Sequence, residues 1–151
     1  MVQLISSSKI LKSTESFKSR NFVFALIDNF SLLSFAGAVD ALRIANRVAP
    51  HSYTWSITSE TGNAVNCSAN ISYNVDNSFL ELGRDDTIIV CGGVNIQVAT
   101  TKRLLNWLRR ESRKGVKMVA LCTASYSLAR AGLLNGKKAT IHWENQDSFS
   151  E

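Results

Sequence analysis

Three stretches of the chain are almost wholly apolar, a pattern that is typical of strands buried on both faces of a parallel sheet. They are residues 21–27, 87–90 and 116–121. Residues 53–59 alternate between apolar and polar side chains and predict a further strand, and the short run 139–142 predicts a last one. The first run stops at Asp28 and the second at Cys91, so each strand ends in a loop with polar or small residues.

Between these runs, apolar residues recur at the spacing of an amphipathic helix. Helices are predicted over residues 34–48, just before Pro50, the only proline of the chain, and over residues 98–114 and 123–131. Residues 64–73 indicate a short hairpin or a pair of edge strands. This order of elements predicts an α/β domain whose mostly parallel sheet has helices on both faces.

The chemically distinctive residues follow the ends of the predicted strands. In open α/β sheets, ligands bind outside the carboxyl ends of the strands. We therefore expect a binding site formed by Asp28, Asn29, Phe30, Cys91, Gly92, Gly93, Cys122, Thr123, His142 and Trp143.

Cys122 stands where the strand 116–121 turns into the next helix with almost no loop. Such an elbow lifts its central side chain off the sheet and directs it toward the N–H groups of the following helix. A cysteine at this place is either a nucleophile or a small residue that fits the turn, and the pattern leaves both interpretations open.

Composition fits one globular domain in a reducing compartment. The chain has 151 residues, of which 45% are apolar and 19% are charged. Residues 1–20 are basic and rich in serine, and we expect a disordered tail there, with the folded domain over residues 21–151. No apolar run approaches the roughly 20 residues of a membrane span. Cys67, Cys91 and Cys122 lack the spacing of a metal site or a disulfide framework, so we expect no metal and a cytoplasmic location.

The net charge of +5 does not by itself indicate nucleic-acid binding. Seven of the 17 basic residues lie within residues 102–117, where they alternate with leucines and a tryptophan. This pattern predicts the solvated face of an amphipathic helix, and no helix-turn-helix or zinc-finger signature accompanies it.

Several motifs resemble one family over residues 22–144. They are F-V-F-A-L-I-D-N-F, G-A-V-D-A-L, I-I-V-C-G-G, A-L-C-T-A-S and A-R-A-G-L-L-N-G-K-K-A-T-I-H-W-E. The chain resembles the ThiJ/PfpI-like branch of the class I glutamine amidotransferase superfamily. The last two motifs look especially like the N-terminal domains of AraC/XylS-type transcriptional regulators of the GlxA kind.

This resemblance implies a flavodoxin-like three-layer αβα sandwich. A last strand that ends at residue 142 would leave the sheet uncovered by any following helix, so we expect the chain to be incomplete at its C-terminus. In such regulators the domain senses a ligand and forms a homodimer, while a C-terminal pair of helix-turn-helix motifs, absent here, binds DNA. We therefore expect a small-molecule effector, DNA contact only through the missing domain, and no cofactor, membrane contact or catalysis. The motifs are closest to regulators that respond to quaternary amines, so we expect a small amine or a betaine-like metabolite.

The alternative is a cysteine-dependent hydrolase, an amidotransferase-like enzyme or a glyoxalase-like lyase. Its candidate catalytic residues are Cys122, His142 and Glu144, with amides of Thr123 and of residues 92–94 as oxyanion donors. Two departures from the family pattern oppose it. Thr123 stands where the family's hydrolases place a histidine, and Ser34 stands where the family has an acidic partner for the cysteine.

The non-catalytic interpretation needs only a pocket. Phe30 and Trp143 would hold a quaternary ammonium by cation–π contact, Asp28 would add charge, and the amides of Gly92, Gly93 and Thr123 would hold a carboxylate. A third interpretation, a dimerisation domain without a ligand, predicts a filled apolar pocket instead.

Overall fold

The computed structural model describes residues 19–143, which form a central sheet of five parallel strands. The strands are β1 Arg20–Leu26, β2 Tyr53–Ser59, β3 Val65–Asn66, β4 Ser72–Tyr73, β5 Asn77–Ser78, β6 Thr87–Cys91 and β7 Lys117–Leu121. The order of the strands across the central sheet is β5-β2-β1-β6-β7, and β3 pairs with β4 in a separate antiparallel hairpin. The carboxyl ends of β1, β6 and β7 are in register, since Leu26 lies opposite Cys91 and Cys91 lies opposite Leu121.

Helices cover both faces of the sheet. Because successive side chains of a strand point to opposite faces, each buried strand packs against helices on both sides. The helices are α1 Leu32–Val48, α2 Ile96–Ala99, α3 Lys102–Arg113 and α4 Ser125–Arg130, and a 3₁₀ turn at Cys122–Ala124 precedes α4. Phe24 and Ile89 point to the side of α1, where they pack with Phe35. Ile88 and Val90 point to the side of α3 and α4. The expected three-layer, flavodoxin-like α/β sandwich is confirmed.

Four of the five strands predicted outside the hairpin are found with boundaries shifted by one residue or less, and residues 64–73 contain the expected hairpin, β3 and β4. One short parallel strand, β5, was not predicted. The tail expected over residues 1–20 overlaps β1 by one residue, because β1 begins at Arg20. Residues 1–18 of this tail lie outside the described residues. Within residues 19–143, no helix has both the length and the apolar character that crossing a bilayer requires.

The prediction of a single helix over residues 98–114 is wrong, since this region contains the end of α2 and the whole of α3. Thr101 has extended backbone angles, and its hydroxyl accepts a hydrogen bond from the N–H of Leu104 at 3.0 Å, which makes it the N-cap of α3. The Thr100 hydroxyl donates to the carbonyl of Ile96 at 2.7 Å and closes α2. Side-chain hydrogen bonds of two successive threonines therefore interrupt a continuous helical pattern.

The strand predicted over residues 139–142 is also wrong, because this segment is irregular and pairs with no strand. Ile141 is buried in the cluster beneath α3 and α4. The carbonyl of Thr140 accepts a hydrogen bond from the Ser125 hydroxyl at 2.6 Å. The burial of Ile141 and the hydrogen bond to α4 therefore hold this segment in place of a strand ladder.

Candidate functional site

Cys122 occupies the elbow with a left-handed backbone, φ being 57°. A non-glycine residue in this region is strained and persists only where its surroundings hold it. Here β7 ends at Leu121 and the 3₁₀ turn begins at once. The side chain of Cys122 is half-buried, so the thiol stands at the surface of the sheet edge rather than in the core.

The two glycines after β6 are required by close packing. A Cβ on Gly92 would lie 2.7 Å from the amide nitrogen of Ala124, and a Cβ on Gly93 would lie 2.0 Å from the carbonyl oxygen of Asn29. The Thr123 hydroxyl donates to the carbonyl of Gly93 at 2.8 Å. The loops after β1, β6 and β7 are therefore locked together at this edge of the sheet.

The locking hydrogen bonds use amides that an oxyanion hole would need. The N–H of Gly92 donates to the carbonyl of Leu121 at 3.4 Å, and the N–H of Val94 donates to the carbonyl of Asn29 at 3.0 Å. An oxyanion hole needs donors that are free to point at the reacting oxygen. Two of the three candidate amides at residues 92–94 are therefore already engaged with backbone carbonyls.

Cys91 and Ser34 both serve structural roles. Cys91 is fully buried, and burial raises the pKa of its thiol far above the ordinary value, so the thiolate is strongly disfavoured. Ser34 lies in the first turn of α1, where its hydroxyl donates to the carbonyl of the N-cap residue Ser31 at 3.0 Å. It offers no carboxyl group to Cys122.

Phe30 belongs to the core rather than to an open pocket. Its ring is completely buried and packs edge-on against the rings of Phe35 and Tyr73. Its backbone forms bridges to Cys67 and Gly93. No face of this ring is available to a ligand, so cation–π binding on Phe30 has no support in the structure.

His142 and Trp143 adjoin one another after the irregular segment. Their rings lie 5.7 Å apart at an angle of 32°, with His142 half-buried and Trp143 71% exposed. Glu144, the third candidate catalytic residue, lies outside the described residues.

A cavity of about 580 Å³ opens at the carboxyl ends of β1 and β2. Of the sequence-predicted site residues, only Asp28 and Asn29 line it. Its other polar lining residues are Ser59, Glu60, Thr61, Asn63, Asn95 and Thr101. Its apolar walls come from Leu26, Ile27, Ala64, Val65, Phe79, Val98, Ala99 and Leu104. Cys122 and the two glycines thus border a different part of the same sheet edge.

The cavity carries negative charge without a balancing cation in its wall. Asp28 is exposed at its rim and Glu60 is half-buried. The carboxylate of Glu60 accepts a hydrogen bond from the hydroxyl of Thr101, the N-cap of α3. None of the lining residues, all of which belong to the described part of the chain, is lysine, arginine or histidine. Such a cavity attracts a cationic group, and its apolar walls suit a small organic molecule.

Sequence reasoning missed Glu60, although a signal was present. Residues 60–63 (E-T-G-N) follow β2 just as Asp28 and Asn29 follow β1. The rule that ligands gather at carboxyl ends of parallel strands applies equally to both loops. Among the residues that the structure describes, no group of three or more histidine, cysteine, aspartate or glutamate side chains is arranged to hold a metal ion.

Comparison with known proteins places this geometry in a family context. A model of the DJ-1/PfpI family matches residues 20–151. The HTH-type transcriptional regulator CdhR of Pseudomonas aeruginosa is 40% identical over 133 residues, which are 88% of this chain and 40% of that protein. The HTH-type transcriptional regulator GlxA of Rhizobium meliloti is 33% identical over 141 residues, which are 92% of this chain and 44% of that protein.

Solved structures agree with these relatives. The crystal structure of an AraC family transcriptional regulator from Pseudomonas putida superposes with a TM-score of 0.74 at 27% identity, covering 87% of this chain and 71% of that one. The chain spans less than half the length of the two curated relatives. The family match over nearly the whole folded region leads to one conclusion: the chain belongs to the DJ-1/PfpI family.

Proposed function

We propose that this chain is the effector-binding domain of an AraC-type transcriptional regulator and that its effector binds in the cavity at the ends of β1 and β2. One observation carries the proposal: the cavity holds two carboxylates, Asp28 and Glu60, and no cationic side chain lines it. A filled apolar pocket, as a ligand-free dimerisation domain requires, is not what this region contains.

The kind of relative supports a regulatory role. CdhR and GlxA are both named as HTH-type transcriptional regulators, and this chain matches less than half of each. We assign DNA binding to a part of such a regulator other than this chain, because the chain matches only 40% and 44% of the two HTH-type relatives. The domain acts in the cytoplasm as a homodimer, matching the two-fold symmetry of the operators that such motifs bind.

The effector is a small amine or a betaine-like metabolite. Glu60 and Asp28 provide charge for an ammonium group, and the walls formed by Leu26, Val65 and Phe79 accept its methyl or methylene groups. Side-chain amides of asparagines in the lining can donate hydrogen bonds to a carboxylate on the same molecule. The attraction for the ammonium group therefore comes from the two carboxylates rather than from cation–π contact with the buried ring of Phe30.

Binding without catalysis fits the elbow. The hydroxyl of Thr123 is committed to the carbonyl of Gly93, and Ser34 is committed to the helix cap. The amides of Gly92 and Val94 are hydrogen-bonded within the backbone. Activation of Cys122 would need a base and free oxyanion donors, and these contacts remove several of the candidates.

Calorimetric titration with glycine betaine, carnitine, choline and simple amines tests the proposal. Glu60→Gln removes one charge at constant shape, and we expect it to weaken binding by about tenfold or more, since a carboxylate about 4 Å from a quaternary ammonium attracts it by roughly 1 kcal/mol in water and about 4 kcal/mol near a protein surface. Glu81→Gln is the matched control, because Glu81 is exposed and pairs with Lys114 outside the cavity. Equal losses in both variants, or binding by none of these compounds, would contradict this assignment of the site.

A cysteine-dependent enzyme remains the second candidate, because Cys122 is partly exposed and has a left-handed backbone. The Cys122→Ala variant separates the two functions. Effector binding that is unchanged in Cys122→Ala supports the sensor. A stable mass increase on Cys122 after incubation with an ester or amide substrate, lost in the variant, supports the enzyme.

A further inference from the structure

Helix α1 carries an apolar stripe on the side that faces away from the sheet. Leu33, Gly37, Ala41, Ile44 and Val48 are spaced by four, four, three and four residues, which keeps them on one face of the helix. All five are exposed, Leu33 by 86%, Ile44 by 49% and Val48 by 87%. The opposite face packs on the core through Phe35. Within residues 19–143, nothing covers this stripe.

The stripe is symmetric about its own centre. Leu33 and Val48 lie at equal distances from the midpoint between residues 40 and 41, and so do Gly37 and Ile44. When a second α1 packs antiparallel about a two-fold axis at that midpoint, Ile44 of each copy lies over Gly37 of the other. No atom lies within 4 Å of a Cβ built on Gly37, so the space that Ile44 needs is open.

The charges beside the stripe are compensated within each copy. Asp40 and Arg43 form an ion pair at 2.6 Å on one flank of α1. The two-fold axis is perpendicular to the plane of the two helices and therefore brings the charged flanks of both copies to the same side. Asp40 of each copy then lies about 1.5 Å along the helix axis from Asp40 of the other, at about 1.5 Å per residue. Because each carboxylate is paired with its own Arg43, the symmetric arrangement places no unpaired like charges at its centre.

We propose that the outward face of α1 is the surface through which two copies of this chain associate, as an antiparallel, two-fold symmetric helix pair centred between Asp40 and Ala41. The inference rests on the proposed function only for the expectation that the domain is a homodimer, and it adds the surface. Large residues at the two ends and small ones near the centre let the helices approach closely. The stripe lies outside the cavity, since none of its five residues lines it.

Sedimentation equilibrium of the chain and its variants tests the surface. Gly37→Leu makes the stripe more apolar but fills the space needed by Ile44, so we expect dimer dissociation to increase by at least about tenfold. Ile44→Glu should have the same effect. Ile71→Glu is the matched control, because Ile71 is also 49% exposed but lies in the β3–β4 hairpin, and it should leave the dimer unchanged.

Site-directed cross-linking gives an independent readout. With Cys122 replaced by serine, only buried native cysteines remain. Oxidation of Ala41→Cys in this background should give a covalent dimer, whereas Ile71→Cys should not. A dimer that survives Gly37→Leu and Ile44→Glu without cross-linking through residue 41 would overturn the surface and leave dimerisation standing. A chain that is monomeric throughout would overturn the surface and the homodimer together, while effector binding is judged separately by calorimetry.

Discussion

At the scale of single residues, the tightest backbone contact lies between Gly93 and Asn29. A Cβ at Gly93 would stand 2.0 Å from a carbonyl oxygen that also accepts the N–H of Val94. We expect Gly93→Ala to destabilise the fold by about 3 kcal/mol or more, because backbone on both sides must move. Urea unfolding measures this, with Gly83→Ala as the control, since a Cβ there meets nothing closer than 3.4 Å. Equal losses in both variants would contradict the packing described here.

The three cysteines differ in accessibility, and a thiol titration reports the difference. Cys67 and Cys91 are fully buried, and burial raises the pKa of the Cys91 thiol, whereas Cys122 is half-buried. Since the thiolate is the reactive form, we expect only Cys122 to react with a disulfide reagent in the native state at neutral pH. All three should react in denaturant. Fast native reaction that persists in Cys122→Ala would show that a second thiol is accessible.

At the scale of elements, Thr101 joins the start of α3 to the cavity. Its hydroxyl accepts from the N–H of Leu104 and donates to the carboxylate of Glu60. Thr101→Val keeps the shape but loses both hydrogen bonds, so we expect stability to fall by about 1–2 kcal/mol. Thr101→Ser keeps the hydroxyl and should therefore retain most of the stability. Chemical denaturation of both variants, alone and combined with Glu60→Gln, gives the coupling energy. A coupling energy of zero would mean that the Glu60 contact adds nothing to the cap.

The elements that sequence reasoning found are those with a strong local pattern. Residues 21–27 and 87–90 are apolar apart from the first residue of each run, as is typical of a strand inside a parallel sheet, and both are strands. The break between α2 and α3 escaped because it depends on side-chain hydrogen bonds of Thr100 and Thr101 rather than on apolar spacing. The segment 139–142 was predicted as a strand from composition alone, although only Ile141 is buried and no strand pairs with it.

At the scale of the whole molecule, the sheet order explains which parts of the site were predictable. The parallel order brings the ends of β1, β6 and β7 together, so Asn29, Gly93 and Thr123 meet as the sequence indicated. The cavity instead lies toward β2, whose position beside β1 no local pattern reveals. Phe30 was expected to face a ligand because it follows a strand. Its ring turns inward because the β3–β4 hairpin supplies Tyr73 as a packing partner.

The separation of the cavity from the outward face of α1 leads to a prediction about the whole domain. No residue of the apolar stripe lines the cavity, and the carboxylate of Glu60 is hydrogen-bonded to Thr101 at the start of α3 rather than to α1. Effector binding and association should therefore be nearly independent in this chain: Gly37→Leu should leave the effector dissociation constant within about twofold, and Glu60→Gln should leave the dimer dissociation constant equally unchanged. Titration calorimetry and sedimentation on both variants check the two halves. Because linkage is reciprocal, an effector that changes the dimer dissociation constant must itself bind the dimer and the monomer with different affinities. An effector dissociation constant that shifts in Gly37→Leu, together with a dimer dissociation constant that depends on effector concentration, would mean that β1, which precedes the cavity loop and packs against α1, transmits the effector signal to the dimer.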